Sequence, residues 1–347
     1  MHTIYDVAKL AGVSTGTVSN VLNNSDKVAA KTALKVKAAM RELNFIPNTS
    51  AKTLKSNNSK IIGVLAEDLT VPFTSSIIKG ICDYCEEKDY MINLCNLRIE
   101  ERMKASDISH YDSYEKSDFF KKILKKNLSI LLSSRICGLI YIGTHPRDVG
   151  HILPELPIPV VYAYAYTKND DYCINYDDYQ GARLAMDYLI NKGHTRIALI
   201  SGPIDSVPTH KRMLAYQKVL LEHDIEFRPE YIKTGHWQYE DGYQQCRKLL
   251  DLNPRPTAIF AMSDQMAVGA LKAIQEKGLR VPEDISLHGF DNLIYALYVS
   301  PSLTTIDLPL DQIGRETAKT IHCILTGSEP QNHSILLPCS HIVRESA

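Results

Sequence analysis

Long apolar runs are missing from this sequence. None of its 347 residues lies in a stretch of eighteen apolar residues, and its first residues lack the charged start, apolar centre and small-residue cleavage site of a leader. A membrane span and a secreted product are therefore not expected, and the expected compartment is the cytoplasm. Eight cysteines in a chain this long, with no secretory signal, do not read as a disulfide framework. Cys82 and Cys85 form the one Cys-x-x-Cys pair. They fall inside a helical pattern with no second pair and no neighbouring histidine, so buried thiols are expected rather than a metal site. The phosphate loop GxxxxGK[ST], the dinucleotide fingerprint GxGxxG and the metalloprotease pair HExxH are absent too. No enzyme, no cofactor and no metal are expected.

Charge is present but unevenly placed. The net charge of -1 conceals a head, residues 1–60, with nine Lys or Arg against three acids, and a remainder that is correspondingly acidic. A basic head suits the phosphates of a nucleic acid, and an acidic body suits a part kept away from them. The stretch Tyr5 to Asn23 reads as two short helices meeting at a turn. Thr3 stands as a helix cap with Asp6 three residues on, Val7, Ala8 and Ala11 recur at helical spacing, and Gly12 allows the turn. Ser14 then caps a second helix whose Val18 and Val21 or Leu22 face inward, leaving Thr15, Gly16, Ser19 and Asn20 outside. Such a small polar face fits a DNA major groove. A helical pair simply packed on a larger body fits the spacing as well. A third helix over Thr32 to Asn44, with Val36, Ala39, Met40 and Leu43 inward, closes a small core before Pro47. The segment PNTSAKTLKS has too little apolar surface to hold a helix alone in water. On its residues alone it reads as a linker.

From Ile61 the rhythm changes to short buried strands alternating with helices: IIGVL, MINLC, GLIYI and PVVYA, then RIALI, AIFAM and ISLHGF. Two doubly wound parallel lobes follow from this. The run around residues 99–118 is too long and polar for a strand-to-helix connection and reads as an exposed loop.

The wording AGVSxxTVSxVLN, followed by ELNFIPN and AKTLKS, resembles the LacI/GalR family of bacterial transcriptional regulators. The resemblance implies an N-terminal all-α helix-turn-helix domain over residues 1–46, a hinge helix and linker over 47–60, and a two-lobed α/β core of the periplasmic-binding-protein type 1 fold over 61–347. Lobe 1 is expected at about 61–163 and 306–327, lobe 2 at about 164–305 and 328–347. The resemblance further implies a homodimer and a repressor that binds a pseudo-palindromic double-stranded operator. DNA contacts carry over to Thr3, Ser14, Thr15, Gly16, Ser19, Asn20, Asn23, Lys27 and Thr32 of the head and to Asn48, Ala51 and Leu54 of the hinge. Leu54 would wedge a minor-groove step.

Ligands of open α/β sheets sit at the carboxyl ends of the strands. Asp68, Phe73, Trp237 and Asp291 fall at such ends, Arg212 matches the family's effector-binding arginine, and Tyr164 and Ser263 fall at pocket positions that are polar in many relatives. An aromatic plane with Asp and Arg suits a carbohydrate effector. Each residue also has an ordinary structural role available, Trp237 as an anchor and Asp291 as a helix cap. With Ile142 and Tyr164 where relatives carry polar groups, a nucleobase or phosphorylated sugar stays open as effector. A vestigial, ligand-unresponsive core and a sugar-processing enzyme are the alternatives.

Overall fold

The computed structural model describes residues 2–22, 28–45, 59–106 and 111–347. The chain separates into two compact units, Met1–Ser59 and Lys60–Ala347.

The first unit holds three helices, α1 (Ile4–Ala11), α2 (Thr15–Leu22) and α3 (Ala30–Glu42). Val7, Ala8, Val18, Val21, Val36 and Ala39 form its buried core, with Met40 and Leu43 packed against it. Asp6 accepts the Thr3 backbone N–H at 2.7 Å, and Gly12 takes φ 66°, the left-handed conformation that ends α1. Ser14 accepts the Thr17 N–H at 3.1 Å and so starts α2.

The second unit contains β1 (Ile61–Ala66), α4 (Pro72–Glu87), β2 (Met91–Asn96), α5 (Ile99–Ala105), α6 (Tyr111–Glu115), α7 (Asp118–Ser133), β3 (Gly138–Ile142), β4 (Val160–Ala163), β5 (Tyr172–Tyr176) and α8 (Asp178–Asn191). It continues with β6 (Ile197–Ser201), α9 (Val207–Glu222), β7 (Ile232–Thr234), α10 (Tyr239–Leu250), β8 (Ala258–Ala261), α11 (Asp264–Glu276), β9 (Ser286–His288), α12 (Tyr295–Tyr298), β10 (Thr305–Asp307), α13 (Leu310–Leu325), β11 (Ser334–Leu337) and β12 (Ser340–Ile342). One parallel sheet runs β11-β5-β4-β3-β1-β2 and a second β7-β6-β8-β9, while β10 and β12 pair antiparallel. β3 and β6 are buried along their whole length, which is why they read as unbroken apolar runs. Among the described residues no helix is long and apolar enough to cross a membrane.

Sheet pairing corrects the expected lobe boundaries. Tyr172–Tyr176 and Ser334–Leu337, expected in lobe 2, join the first sheet, with Cys173 opposite Ser334 and Val161 opposite Tyr172. The chain crosses between lobes near Asp177, between Asp307 and Leu310, and at Pro338. An edge strand such as β11, half exposed along its length, lacks the continuous apolar signal that marks the central strands. Residues 99–118 are also not the exposed loop expected from their polarity. They contribute α5 and α6, whose Ile99, Met103 and Tyr114 are buried beside Leu97 and Phe120. Of the Cys82 and Cys85 pair only Cys85 is buried; Cys82 is exposed.

Glycine lets the covering helices touch backbone to backbone. A Cβ on Gly80 of α4 would lie 2.0 Å from the Asp311 carbonyl oxygen of α13, and one on Gly314 would lie 2.0 Å from that of Ile77. The second lobe repeats the device: a Cβ on Gly242 would lie 1.9 Å from the Met266 carbonyl oxygen and one on Gly269 2.0 Å from that of Tyr239. A methyl group at any of these four positions must push two helices apart. Gly80→Ala is therefore expected to destabilise the core by about 1–3 kcal/mol, an overpacking penalty, measured by chemical denaturation. Unchanged stability would mean that the helices do not cross this closely.

Candidate functional site

Arg212 is buried on α9, and its guanidinium gathers acceptors from both lobes. Nε donates to Asp178 Oδ1 at 2.8 Å, Nη2 to Tyr176 Oη at 2.9 Å and Nη1 to the Met262 carbonyl. Tyr176 ends β5 in the first sheet, whereas Met262 follows β8 in the second. The guanidinium also lies 3.7 Å from the Phe290 ring centroid and 5.6 Å from that of Trp237. Asp178 stands in the first turn of α8, which Asp177 caps by accepting the Gln180 N–H at 3.0 Å.

Aromatic rings extend the cluster into the first lobe. Tyr164 is buried with φ 56°, its ring 5.7 Å from Tyr176 and 5.6 Å from Phe73, which opens α4. Trp237, at φ 71°, lies against Gly202, where a Cβ would meet its ring at 2.1 Å. Asp291 is buried with φ 117°. Its carboxyl sits well above the usual range because burial, with the nearby Asp264 and Asp178 charges, outweighs the attraction of Arg212. Asp264 is pushed up to about 7 by burial, despite the Thr305 hydroxyl donating at 2.5 Å and the Leu293 N–H at 2.8 Å. Next to Asp291 a cavity of 490 Å³ opens between Pro72 and Ser76 of the first lobe and Asn292, Asp307 and Leu310. Three oxygens in this neighbourhood, Asp178 Oδ2, Thr209 Oγ1 and Tyr295 Oη, are buried without a hydrogen-bond partner among the described residues. Buried oxygens left this way are acceptors and donors waiting for a ligand or water.

Of the residues expected at the pocket, Phe73, Tyr164, Arg212, Trp237 and Asp291 join one contact network. Asp68 does not contribute a free carboxylate. Its Oδ1 accepts the Thr70 N–H at 3.0 Å and hydroxyl at 2.7 Å, and its Oδ2 accepts the Glu100 N–H at 3.0 Å. Ser263 is likewise occupied: its hydroxyl accepts the Met266 N–H at 3.2 Å and caps α11. Asp291 lies three residues past the end of β9 and not on the strand. Sequence reasoning missed Tyr176, Asp178, Asp264 and Phe290, which carry no signal beyond standing at element ends.

In the head, Gly16 and Asn20 are exposed, while Thr15, Ser19 and Thr32 are half-buried. Thr3 is exposed and donates its hydroxyl to Asp6 at 2.9 Å. Ser14 is tied to Thr17, 2.9 Å between the two hydroxyl oxygens. Gly12-Val13-Ser14-Thr15-Gly16 has the Gly-x-Ser-x-Gly spacing of a hydrolase nucleophile elbow, but here it joins two helices and the serine is a cap. Asn23, Lys27, Asn48, Ala51 and Leu54 lie outside the described residues.

The Asp264 environment makes a measurable prediction. A carboxyl with a folded value near 7 and an unfolded one near 4 takes up a proton on folding between those values, so its effect lowers stability as pH rises through that window and levels off above it. Asp264→Asn, which mimics the protonated group, is expected to flatten this fall when melting is followed from about pH 5 to about pH 8. Parallel pH profiles for the two proteins would refute the assignment.

Comparison with known proteins follows the same division of the chain. Residues 3–48 match the bacterial regulatory proteins of the lacI family, and residues 186–347 match the periplasmic binding protein-like domain. The chain is 35% identical over 318 residues to the ribose operon repressor of Escherichia coli (strain K12), covering 90% of each. It is also 35% identical over 350 residues to the HTH-type transcriptional repressor PurR of Pectobacterium atrosepticum, covering 100% of this chain and 97% of that one. Among solved structures, the lac repressor dimer bound to operator and the anti-inducer ONPF superposes with a TM-score of 0.81 at 31% identity, over 99% of this chain and 98% of that one. With a matched head and repressor relatives aligned along nearly its whole length, the chain belongs to the LacI family of bacterial regulatory proteins.

Proposed function

We infer that this protein is a homodimeric transcriptional repressor of the bacterial cytoplasm that binds a pseudo-palindromic double-stranded operator, with an affinity set by a small carbohydrate held between its lobes. The observation that carries this reading is the joining of a LacI-family head to a core whose alignment with the ribose operon repressor covers 90% of both chains. The basic head and acidic remainder fit the same division of labour. The head places Asn20 and Gly16 on the open face of α2, so direct base reading falls to Thr15 and Asn20, since Gly16 has no side chain. Two copies present two such helices to successive half-sites, with Asn48, Ala51 and Leu54 pairing in the minor groove between them.

The chemistry around Arg212 favours a neutral sugar. Three of the five N–H groups of a guanidinium are engaged here, leaving two to donate to ligand hydroxyls. The orphaned oxygens of Asp178 and Thr209 match further hydroxyls, and the rings of Phe73, Tyr164 and Trp237 suit the apolar faces of a sugar. A phosphate ester brings close to two negative charges beside Asp178, with Arg212 already paired to that carboxylate, and is disfavoured. Ligand closing the lobes about their three chain crossings shifts the population of hinge arrangements and thereby operator affinity.

A thermal-shift series with D-ribose, D-ribose 5-phosphate and hypoxanthine, followed by operator binding with each hit, tests the reading. D-ribose is expected to raise the melting temperature and change operator affinity, and the phosphate to do neither. No change in operator affinity with any stabilising ligand would remove the switch. In the head, Asn20→Ala is expected to weaken operator binding by about 1–3 kcal/mol and to relax base choice at one position of each half-site. An equal loss on operator and random DNA would instead make Asn20 a backbone contact.

A further inference from the structure

The inserted helices α5 and α6 are anchored to the carboxyl ends of β1 and β3, where the cleft lies. Arg147 is the anchor. It donates Nη1 to the buried Glu67 at 2.8 Å, bonds the buried Glu115 of α6 through Nη2, and stacks on Tyr111 with 4.4 Å to the ring centroid. Glu67 also accepts the Tyr141 hydroxyl at 2.5 Å and the Thr144 N–H at 2.8 Å. Burial alone would raise Glu67, but the charge and hydrogen bonds of Arg147 and these donors bring it below the ordinary carboxyl value. Tyr111 in turn bonds Glu100, whose N–H closes on Asp68. The insertion therefore takes Asp68, a residue expected to bind ligand, out of the cleft's free acceptors.

It also packs against a second candidate acceptor. Tyr111 packs edge-on against His145, ring centroids 4.9 Å apart at 70°. The Thr144 hydroxyl oxygen lies 3.0 Å from Glu67 Oε2, 3.1 Å from Tyr111 Oη and 3.2 Å from His145 Nδ1, and with its one proton on the charged carboxylate it accepts the His145 Nδ1–H. In that tautomer Nε2 keeps a lone pair and has no hydrogen-bond partner among the described residues. His145 is half-buried, and the charge of Asp205, on the loop of the second lobe that leads into α9, acts on it. Burial and the Arg147 charge hold the imidazole down to about 4, which keeps it neutral at physiological pH. One residue before Thr144, Gly143 is pressed against the Tyr164 carbonyl, where a Cβ would stand 2.6 Å away, so the backbone of this turn runs beside that of Tyr164.

We propose that His145 is a specificity-determining residue of the cleft, its Nε2 accepting a hydrogen bond from a ligand O–H or N–H, and that the insertion of α5 and α6 serves to orient it. This rests on the reading of the cleft as a ligand site. The discrimination follows from chemistry: a ligand without a donor at that point leaves a desolvated acceptor unpaired.

The test is calorimetric titration of the full chain with D-ribose and with its 1-, 2- and 3-deoxy analogues. His145→Phe is expected to weaken D-ribose binding at least about tenfold and to erase discrimination against one analogue only. His145→Gln, whose amide oxygen reaches toward the same place, is expected to recover most of the affinity. Tyr111→Leu, which frees the ring, is expected to fall between them, with circular dichroism melts showing each variant folded. Arg212→Gln separates the two ideas. If it abolishes binding while His145→Phe titrates every analogue as the parent does, the His145 assignment is overturned and the cleft reading stands. If Arg212→Gln binds like the parent, or the parent takes up no D-ribose, the cleft reading falls and this assignment with it.

Discussion

A guanidinium removed from water must be met by acceptors, and Arg212 is the point where this requirement organises the core. Its partners come from β5 of one sheet, from the start of α8 and from the end of β8 in the other sheet, so the bonds that make its burial tolerable also hold the lobes in register. Asp291 lies in the field of the same charge, Phe290 and Trp237 cover its faces, and Tyr176 links it to Tyr164 and Phe73. A cleft built around one fixed cation is pre-organised for hydroxyl groups and unfavourable for a second anion. That single constraint explains why aromatic and carboxylate side chains dominate the remainder of the site.

The two lobes solve the same packing problem in the same way. Each brings two helices so close that backbone carbonyls occupy the space of a missing side chain, Gly80 with Gly314 in one and Gly242 with Gly269 in the other. Close crossings leave little freedom for the helices to slide. Motion is then concentrated at the chain crossings near Asp177, Pro309 and Pro338, where the lobes are joined by single strands of backbone.

The insertion between β2 and α7 shows how a polar sequence can be structural. Residues 99–118 read as an exposed loop, yet Glu115 of this stretch is buried, as is Glu67 after β1, because Arg147 lies between them. A buried pair of carboxylates around one guanidinium needs its hydrogen bonds made; Tyr141 and Thr144 complete them for Glu67, while Arg147 Nε is left without a partner among the described residues. The arrangement ties the helices α5 and α6 to β3 through Tyr141 and packs Tyr111 against a neighbouring histidine ring.

The sequence by itself determined the three-helix head, the turn at Gly12, the cap at Ser14, the central buried strands and most of the helices of the core. These depend on local spacing and on apolar runs that any neighbour would bury. It also determined Phe73, Tyr164, Arg212, Trp237 and Asp291 as candidate pocket residues. What only the tertiary structure decided were the features set by partners distant in the chain. The membership of β5 and β11 in the first sheet depends on pairing across about 160 positions. The use of Asp68 and Ser263 as acceptors for backbone N–H groups depends on which of those groups reach them. The contacts of Tyr176, Asp178 and Phe290, and the burial of Glu115, depend on an arginine supplied from elsewhere. Hydrogen-bond partners of that kind leave no period in a sequence, because the distance that matters is measured through space and not along the chain.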